Sequence, residues 1–173
     1  KRLYPYYKPH RRLFYEDLCA ALILAACDLI YPMITRSMIN DYIPNRRLDL
    51  LLIFAGVLLL IYLVKLGMNY FVQYYGHLVG VYIQADLRRD VFAHLQKLPL
   101  SYFDNHKTGS IMSRIITDLM DIAELAHHGP EDLFISAVML IGSFAIMISI
   151  NVPLTLILFS MIPIMIFFSA KMR

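Results

Sequence analysis

Residues 85–118 read ADLRRDVFAHLQKLPLSYFDNHKTGSIMSRIITD, and they decide the fold because a strongly apolar stretch lies on either side of them. Before the turn, Leu87, Val91, Leu95 and Leu98 keep a helical stripe while Asp86, Arg88, Arg89, Asp90 and Lys97 carry charge. After it, Ile111, Met112, Ile115, Ile116, Leu119, Ile122, Ala123 and Ala126 repeat at helical spacing, with Arg114, Asp118, Asp121 and Glu124 on the other positions. Between the two patterns, PLSYFDNHKTG at 99–109 is rich in turn formers. The stretch therefore predicts a helix, a reversal through a short element, and a second helix returning antiparallel to the first.

Working outward, no proline falls between Pro44 and Pro99. A helix over most of that length would run about 80 Å, whereas about 20 residues suffice to cross a bilayer. The surplus must project into water, and the charged positions above show at which end. Four apolar spans are expected, at about 13–35, 48–84, 130–150 and 153–170, with the last cut short. The loop between the second and third, about 85–129, carries the hairpin. Gly129-Pro130 precedes the third span, where proline removes a backbone donor and is expected to kink it; Asn151-Val152-Pro153 reads as a tight turn. Residues 1–12 interleave Lys1, Arg2, Lys8, Arg11 and Arg12 with Leu3, Tyr4, Tyr6 and Tyr7, as suits an interfacial elbow, although Pro5 and Pro9 forbid one regular helix. The chain opens without methionine and stops just after an apolar run, so we expect a part of a longer protein.

Composition agrees with this outline. Of 173 residues 59% are hydrophobic and 17% charged, and mean hydropathy is +0.59, which excludes disordered and collagen-like chains and argues against a soluble domain. Cys19 and Cys27 lie in one apolar run, too far apart along a helix to bond, and read as packing residues. A net charge of +3 does not indicate nucleic acid, because the basic residues gather at the ends of apolar segments. Arg88, Arg89, Lys97, Lys107, Arg114, Lys171 and Arg173 share a side with the basic N-terminal arm, while Arg36, Arg46 and Arg47 lie opposite. The positive-inside rule then predicts a cytoplasmic N-terminus and cytoplasmic rods.

The hairpin also resembles a known family. The transmembrane domain of ATP-binding cassette (ABC) exporters carries, in its first cytoplasmic loop, a pattern close to Arg-x-x-x-Phe-x-x-Leu, then Phe-[Asp/Asn]-x-x-x-Thr-Gly-x-[Leu/Ile]-x-Ser-Arg and an Asp soon after. Here Arg88, Phe92, Leu95, Phe103-Asp104, Thr108-Gly109, Ile111, Ser113-Arg114 and Asp118 match it, and LYPYYKPHRR at 3–12 looks like that family's elbow. The resemblance covers the whole chain. It implies an all-α exporter-type bundle with four of six spans present, and a coupling helix from Tyr102 to roughly Ser113 that docks on a nucleotide-binding domain. Tyr102, Phe103, Asp104, Thr108, Gly109, Ser113 and Arg114 would make that contact. The nucleotide-binding domain, in the same chain or a partner, would hold ATP and Mg2+. A second transmembrane domain would complete a homodimer or heterodimer in a prokaryotic plasma (inner) membrane, exporting a hydrophobic or amphipathic substrate.

Residue chemistry fits that role in part. Tyr102 and Phe103 offer apolar anchors, Gly109 permits a positive φ or a close approach, and Thr108 or Ser110 can cap a following helix. Arg114 and Asp118, four apart, read more readily as an ion pair along the rod than as a partner contact. None of the seven glycines precedes a lysine, so no phosphate loop is present and no catalytic residue is assigned.

Candidate cavity residues are Asp28, Asn69, Gln73 and His77. Together with Lys65, the last three step by four residues along one drifting stripe, which lines a cavity or forms a hydrogen-bonded seam, with Lys65 snorkelling. Asp28 lies mid-span, and Pro32 frees its carbonyl; it serves a cation or a wet cavity, or pairs with Lys65 or with a residue outside these 173. No metal site is expected: His127 and His128 point about 100° apart on a helix of 3.6 residues per turn, and no Cys or carboxylate cluster completes a set. Two other classes fit the same outline, a four-helix channel or anchor without an ATPase, and the membrane input domain of a signalling protein.

Overall fold

The computed structural model describes residues 3–105 and 107–172, and the described residues form helices and turns with no strand. A single turn, α1 (Tyr4–Tyr7), begins with Pro5 near its N-terminus, where a missing N–H costs nothing. Helix α2 (Arg11–Ser37) continues through a π-helical turn at Met38–Tyr42. After a short turn in which Arg46 takes a left-handed φ of 52°, α3 (Leu48–Phe71), a π-helical turn (Val72–Gly76) and α4 (His77–Leu95) form one continuous rod. The short α5 (Leu100–Asn105) follows. Then α6 (Thr108–Ser113), a π-helical turn (Arg114–Asp118) and α7 (Leu119–Ile150) form the returning rod. Asn151 turns the chain into α8 (Val152–Lys171), its Oδ1 accepting the Leu154 N–H at 3.0 Å to cap the new helix.

Four helical rods, Arg11–Tyr42, Leu48–Leu95, Thr108–Ile150 and Val152–Lys171, are long and apolar enough to cross a membrane. The chain is an integral membrane protein. The first rod runs past the expected end near residue 35, because Met38, Ile39 and Ile43 carry apolar character into what reads as a polar connection. Pro130 lies inside α7 without breaking it.

Packing is concentrated in one place. Helix α2 packs on α3, on α7 and on the π-helical turn at 72–76; α4 packs on α7, α7 on α8, and α1 lies against α4. Buried Ala20, Ala21 and Ala25 let α2 approach its neighbours closely. A buried cluster of Val79, Ile83 and Ala126 has Tyr6, Tyr7, Leu13, Phe14 and Leu87 packed around it. It therefore sits where the elbow, α2, α4 and α7 converge, at the root of the hairpin. In contrast, α3 has no buried residue and presents its apolar surface outward, as a helix facing lipid or further helices does.

Side-chain bonds fix the elbow to that root. The Tyr6 hydroxyl donates to Asp90 Oδ2 at 3.0 Å, and His10 Nε2 lies 3.1 Å from Asp86 Oδ2 while its ring stacks on Tyr82 at 5.0 Å between centroids. The Asp90 bond, with some burial and the nearby carboxylates, raises the Tyr6 pKa. The Tyr7 hydroxyl donates to the Ala126 carbonyl. Pro130 cannot supply the N–H that would otherwise bond this carbonyl four residues back. Burial raises the Tyr7 pKa above 10, keeping the phenol a donor.

Candidate functional site

The hairpin tip is built by the break between α4 and α7. Pro99 follows the end of the first rod, α5 lies between the rods in the chain, and Lys107, in extended conformation, starts α6. The expected single coupling helix over 102–113 is thus divided: Tyr102, Phe103 and Asp104 lie on α5, whereas Thr108, Gly109 and Ser113 belong to the first turns of the returning rod and Arg114 opens its π-helical turn. Tyr102 and Phe103 are half-buried with their rings edge to face at 5.5 Å, and Asp104, Thr108, Gly109, Ser113 and Arg114 are exposed. His106 lies outside the described residues.

Several local expectations change. Thr108 is the first helical residue and not the cap, which is Lys107 without a side-chain bond. Gly109 has no positive φ; a Cβ built on it would meet nothing within 4 Å. Arg114 and Asp118 make no ion pair among the described residues, because the π-helical turn at 114–118 closes i to i+5 bonds and removes the four-residue alignment.

Within the spans, Lys65 Nζ donates to Asp28 Oδ1, so the carboxylate's charge is met by α3. Asn69, Gln73 and His77 are exposed, and the π-helical turn at 72–76 interrupts the stripe between them. A turn holding more residues retards its drift. His77 belongs with a different group: its ring lies 5.8 Å from that of His127 and 5.5 Å from that of His128, in edge-to-face contact. These histidines share a cavity of about 230 Å3 between α4 and α7, also lined by Gly80, Val81 and Gln84.

Beside it lies a cluster that sequence reasoning missed. Asp17, His127 and Glu131 are buried, and one ligand-type atom of each lies within 4.8 Å of the others; the same holds for His77, His127 and His128. The sequence showed the adjacent histidines but no partner for them, and Asp17 lies more than a hundred residues away. The ground for expecting no metal there, that no Cys or carboxylate cluster completes a set, does not hold for Asp17 and Glu131, which the fold brings to His127.

A polytopic all-α bundle in which two membrane helices extend into a long hairpin, with a short helix at its end, defines a class of membrane domain with a projecting tip. The chain belongs to the family described as ABC transporter transmembrane region, whose pattern it matches over residues 15–173. It is 39% identical over 176 residues to an uncharacterised ABC transporter ATP-binding protein of Bacillus subtilis, covering 99% of this chain and 31% of that protein. It is 23% identical to a putative multidrug export ATP-binding/permease protein of the same organism, covering 95% of the chain and 29% of the relative. Against an ATP-dependent lipid A-core flippase of Idiomarina loihiensis it is 28% identical, covering 72% and 21%. The chain thus spans less than a third of each of these relatives.

Proposed function

We propose that this chain supplies pathway walls and a coupling lever to an ATP-driven exporter of hydrophobic or amphipathic compounds. The observation that carries the reading is the hairpin's length. Rods of 48 and 43 residues run about 72 and 65 Å at 1.5 Å per residue, against a hydrocarbon core of about 30 Å. Tens of ångströms project beyond the membrane, ending in an aromatic pair on a short helix. Such a tip has a purpose only if something seats on it.

In this reading the hairpin end is cytoplasmic, as the distribution of lysine and arginine favours, and the membrane is a prokaryotic plasma membrane. Tyr102 and Phe103 enter a groove of a nucleotide-binding domain, and the exposed Asp104, Thr108, Gly109, Ser113 and Arg114 flank it. ATP and Mg2+ belong to that domain, which supplies the free energy of binding and hydrolysis. This chain's own part is mechanical. Packing of α4 on α7 and the clasp of α1 on both pass a displacement of α5 to α2 and the spans as one body. A second transmembrane domain closes the pathway, and the exposed Asn69 and Gln73 face it, since polar groups avoid lipid. The relatives named for multidrug export and for lipid A-core flipping favour amphipathic cargo over ions.

The test is the intact transporter in proteoliposomes, with ATP hydrolysis and dye or lipid translocation measured together. Phe103→Ala should insert normally, retain basal hydrolysis and lose at least most of its ATP-driven translocation. Full coupling in that variant refutes the lever, and ion flux without nucleotide favours the channel reading.

A further inference from the structure

The geometry points to a divalent metal site of zinc or manganese type, held by Asp17, His127 and Glu131 where α2 meets the root of the hairpin. It does not depend on the coupling reading above. All three side chains are nearly sealed, with relative exposures of 0%, 3% and 5%. Among the described residues neither carboxylate oxygen of Asp17 has a hydrogen-bond partner, and His127 Nδ1 is likewise unpartnered. Among the described residues neither Asp17 nor Glu131 meets a lysine or arginine. Two buried carboxylates beside one imidazole are expensive without a compensating charge. One divalent cation would neutralise both.

Donor spacing suits an ion. His127 Nε2 lies 3.4 Å from Glu131 Oε2, near the separation of two ligands each about 2.0–2.2 Å from one metal. Asp17 completes a triangle whose donors all lie within 4.8 Å of one another. The chain leaves the space by its choice of residue at 76. A Cβ on Gly76 would stand 2.6 Å from His127 Nε2 and 3.1 Å from Asp17 Oδ1, so any side chain at 76 would crowd both donors. Gly76 closes a π-helical turn, a form that recurs at functional sites. The cavity lined by His77, His127 and His128 borders the cluster at His127, and its imidazoles stand next to the site. With imidazole and carboxylate donors and no thiolate, the set favours a first-row divalent ion over Cu(I).

Bound there, the ion joins α2 to α7 beside the π-helical turn and should stabilise the junction by mass action. The experiment uses the intact transporter, freed of any polyhistidine tag, stripped with chelator and returned to lipid nanodiscs. It is titrated with Zn2+ and Co2+, with bound metal counted by mass spectrometry after gel filtration and Tm followed in parallel. We expect one ion per copy of this chain, a Co2+ ligand-field spectrum, and a rise in Tm. Asp17→Asn and Glu131→Gln should each weaken binding by roughly tenfold or more and abolish the rise, while His94→Gln changes neither. Absence of stoichiometric metal in the unmutated protein overturns the proposal whatever the variants do. So does binding that survives Asp17→Asn but is lost in His77→Gln, which would move the ion to the histidines, or binding unaltered in every variant, an adventitious ion only.

Discussion

Replacing Tyr7 by Phe removes one oxygen, and the structure fixes what that oxygen does. Pro130 deprives the Ala126 carbonyl of its helical donor, Ala126 is buried, and the Tyr7 hydroxyl is the group that bonds it. Losing a net hydrogen bond is worth about 1 kcal/mol, and leaving a buried carbonyl unsatisfied adds about 1 kcal/mol or more, so Tyr7→Phe should cost about 2 kcal/mol. The same change in a Pro130→Ala background should cost about 0.5 kcal/mol or less, because residue 130 then provides an N–H to the carbonyl. The coupling between the two changes should therefore be about 1.5 kcal/mol. The assay is equilibrium unfolding in lipid nanodiscs for the four members of the cycle. Equal costs of Tyr7→Phe in both backgrounds would refute the compensation, leaving the hydroxyl a bystander of the ring's packing.

Other substitutions probe the remaining joints. Asp28→Asn should strand the Lys65 ammonium within the span and cost about 2 kcal/mol, less than for a fully sealed pair because both side chains keep outward surface; Asp28→Leu with Lys65→Met should cost no more than either single change. Unfolding measurements that find the two changes additive would dissolve the pair, and its charge balance predicts that Asp28→Asn leaves export of cationic compounds unaltered. Gly76→Ala puts a methyl 2.5 Å from His127 Cε1 and should destabilise by about 1–3 kcal/mol. Gly109→Ala meets open space and should be neutral or stabilising by roughly 0.5 kcal/mol. Any loss of ATP-driven transport in Gly109→Ala at unchanged Tm would therefore report a contact made outside this chain. Asn151→Ala, which removes the cap of α8, should lower stability by about 1 kcal/mol in the same unfolding assay.

How much of this was legible follows from the range of each interaction. Apolar periodicity and the proline positions marked the rods and their reversal, because those signals are local. The orphaned carbonyl was legible too, since any proline in a helix frees the carbonyl four residues back. Its partner was not, for Tyr7 stands 119 residues away, and nothing in the pattern of an N-terminal arm says which carbonyl it will meet. The Asp28–Lys65 pair could be offered as one of two readings because both charges lie at similar depth in adjacent spans. The Asp17 cluster had no such cue: Asp17 sits one residue before the apolar run and reads as an ordinary boundary charge. The π-helical turns escaped as well. Their effect is to shift register, which misplaced the Arg114–Asp118 pair and turned His77 toward His127 and His128.

These long-range contacts meet at one level of the molecule, and that has a mechanical consequence. A lever transmits force only if its root is stiffer than its arms, because compliance at the root absorbs the displacement of the tip. Here the packing thins toward the tip: Ile115 and Leu119 are still buried on the returning rod, whereas α6 has no buried residue. The root holds Val79, Ile83 and Ala126 sealed between α4 and α7, with α1 bound to Asp90 of α4 through Tyr6 and to α7 through Tyr7, and His10, at the start of α2, bound to Asp86. A displacement arriving along α4 and α7 must therefore carry α1 and the start of α2 with it. The Asp17, His127 and Glu131 cluster lies on this same joint, on the side facing α2. A ligand that tightened it would stiffen the connection between hairpin and first span, whereas a change at the tip would leave that stiffness as it is. Stability at the root and coupling at the tip should thus respond to different substitutions, which is what separates a lever from a hairpin that merely braces the bundle.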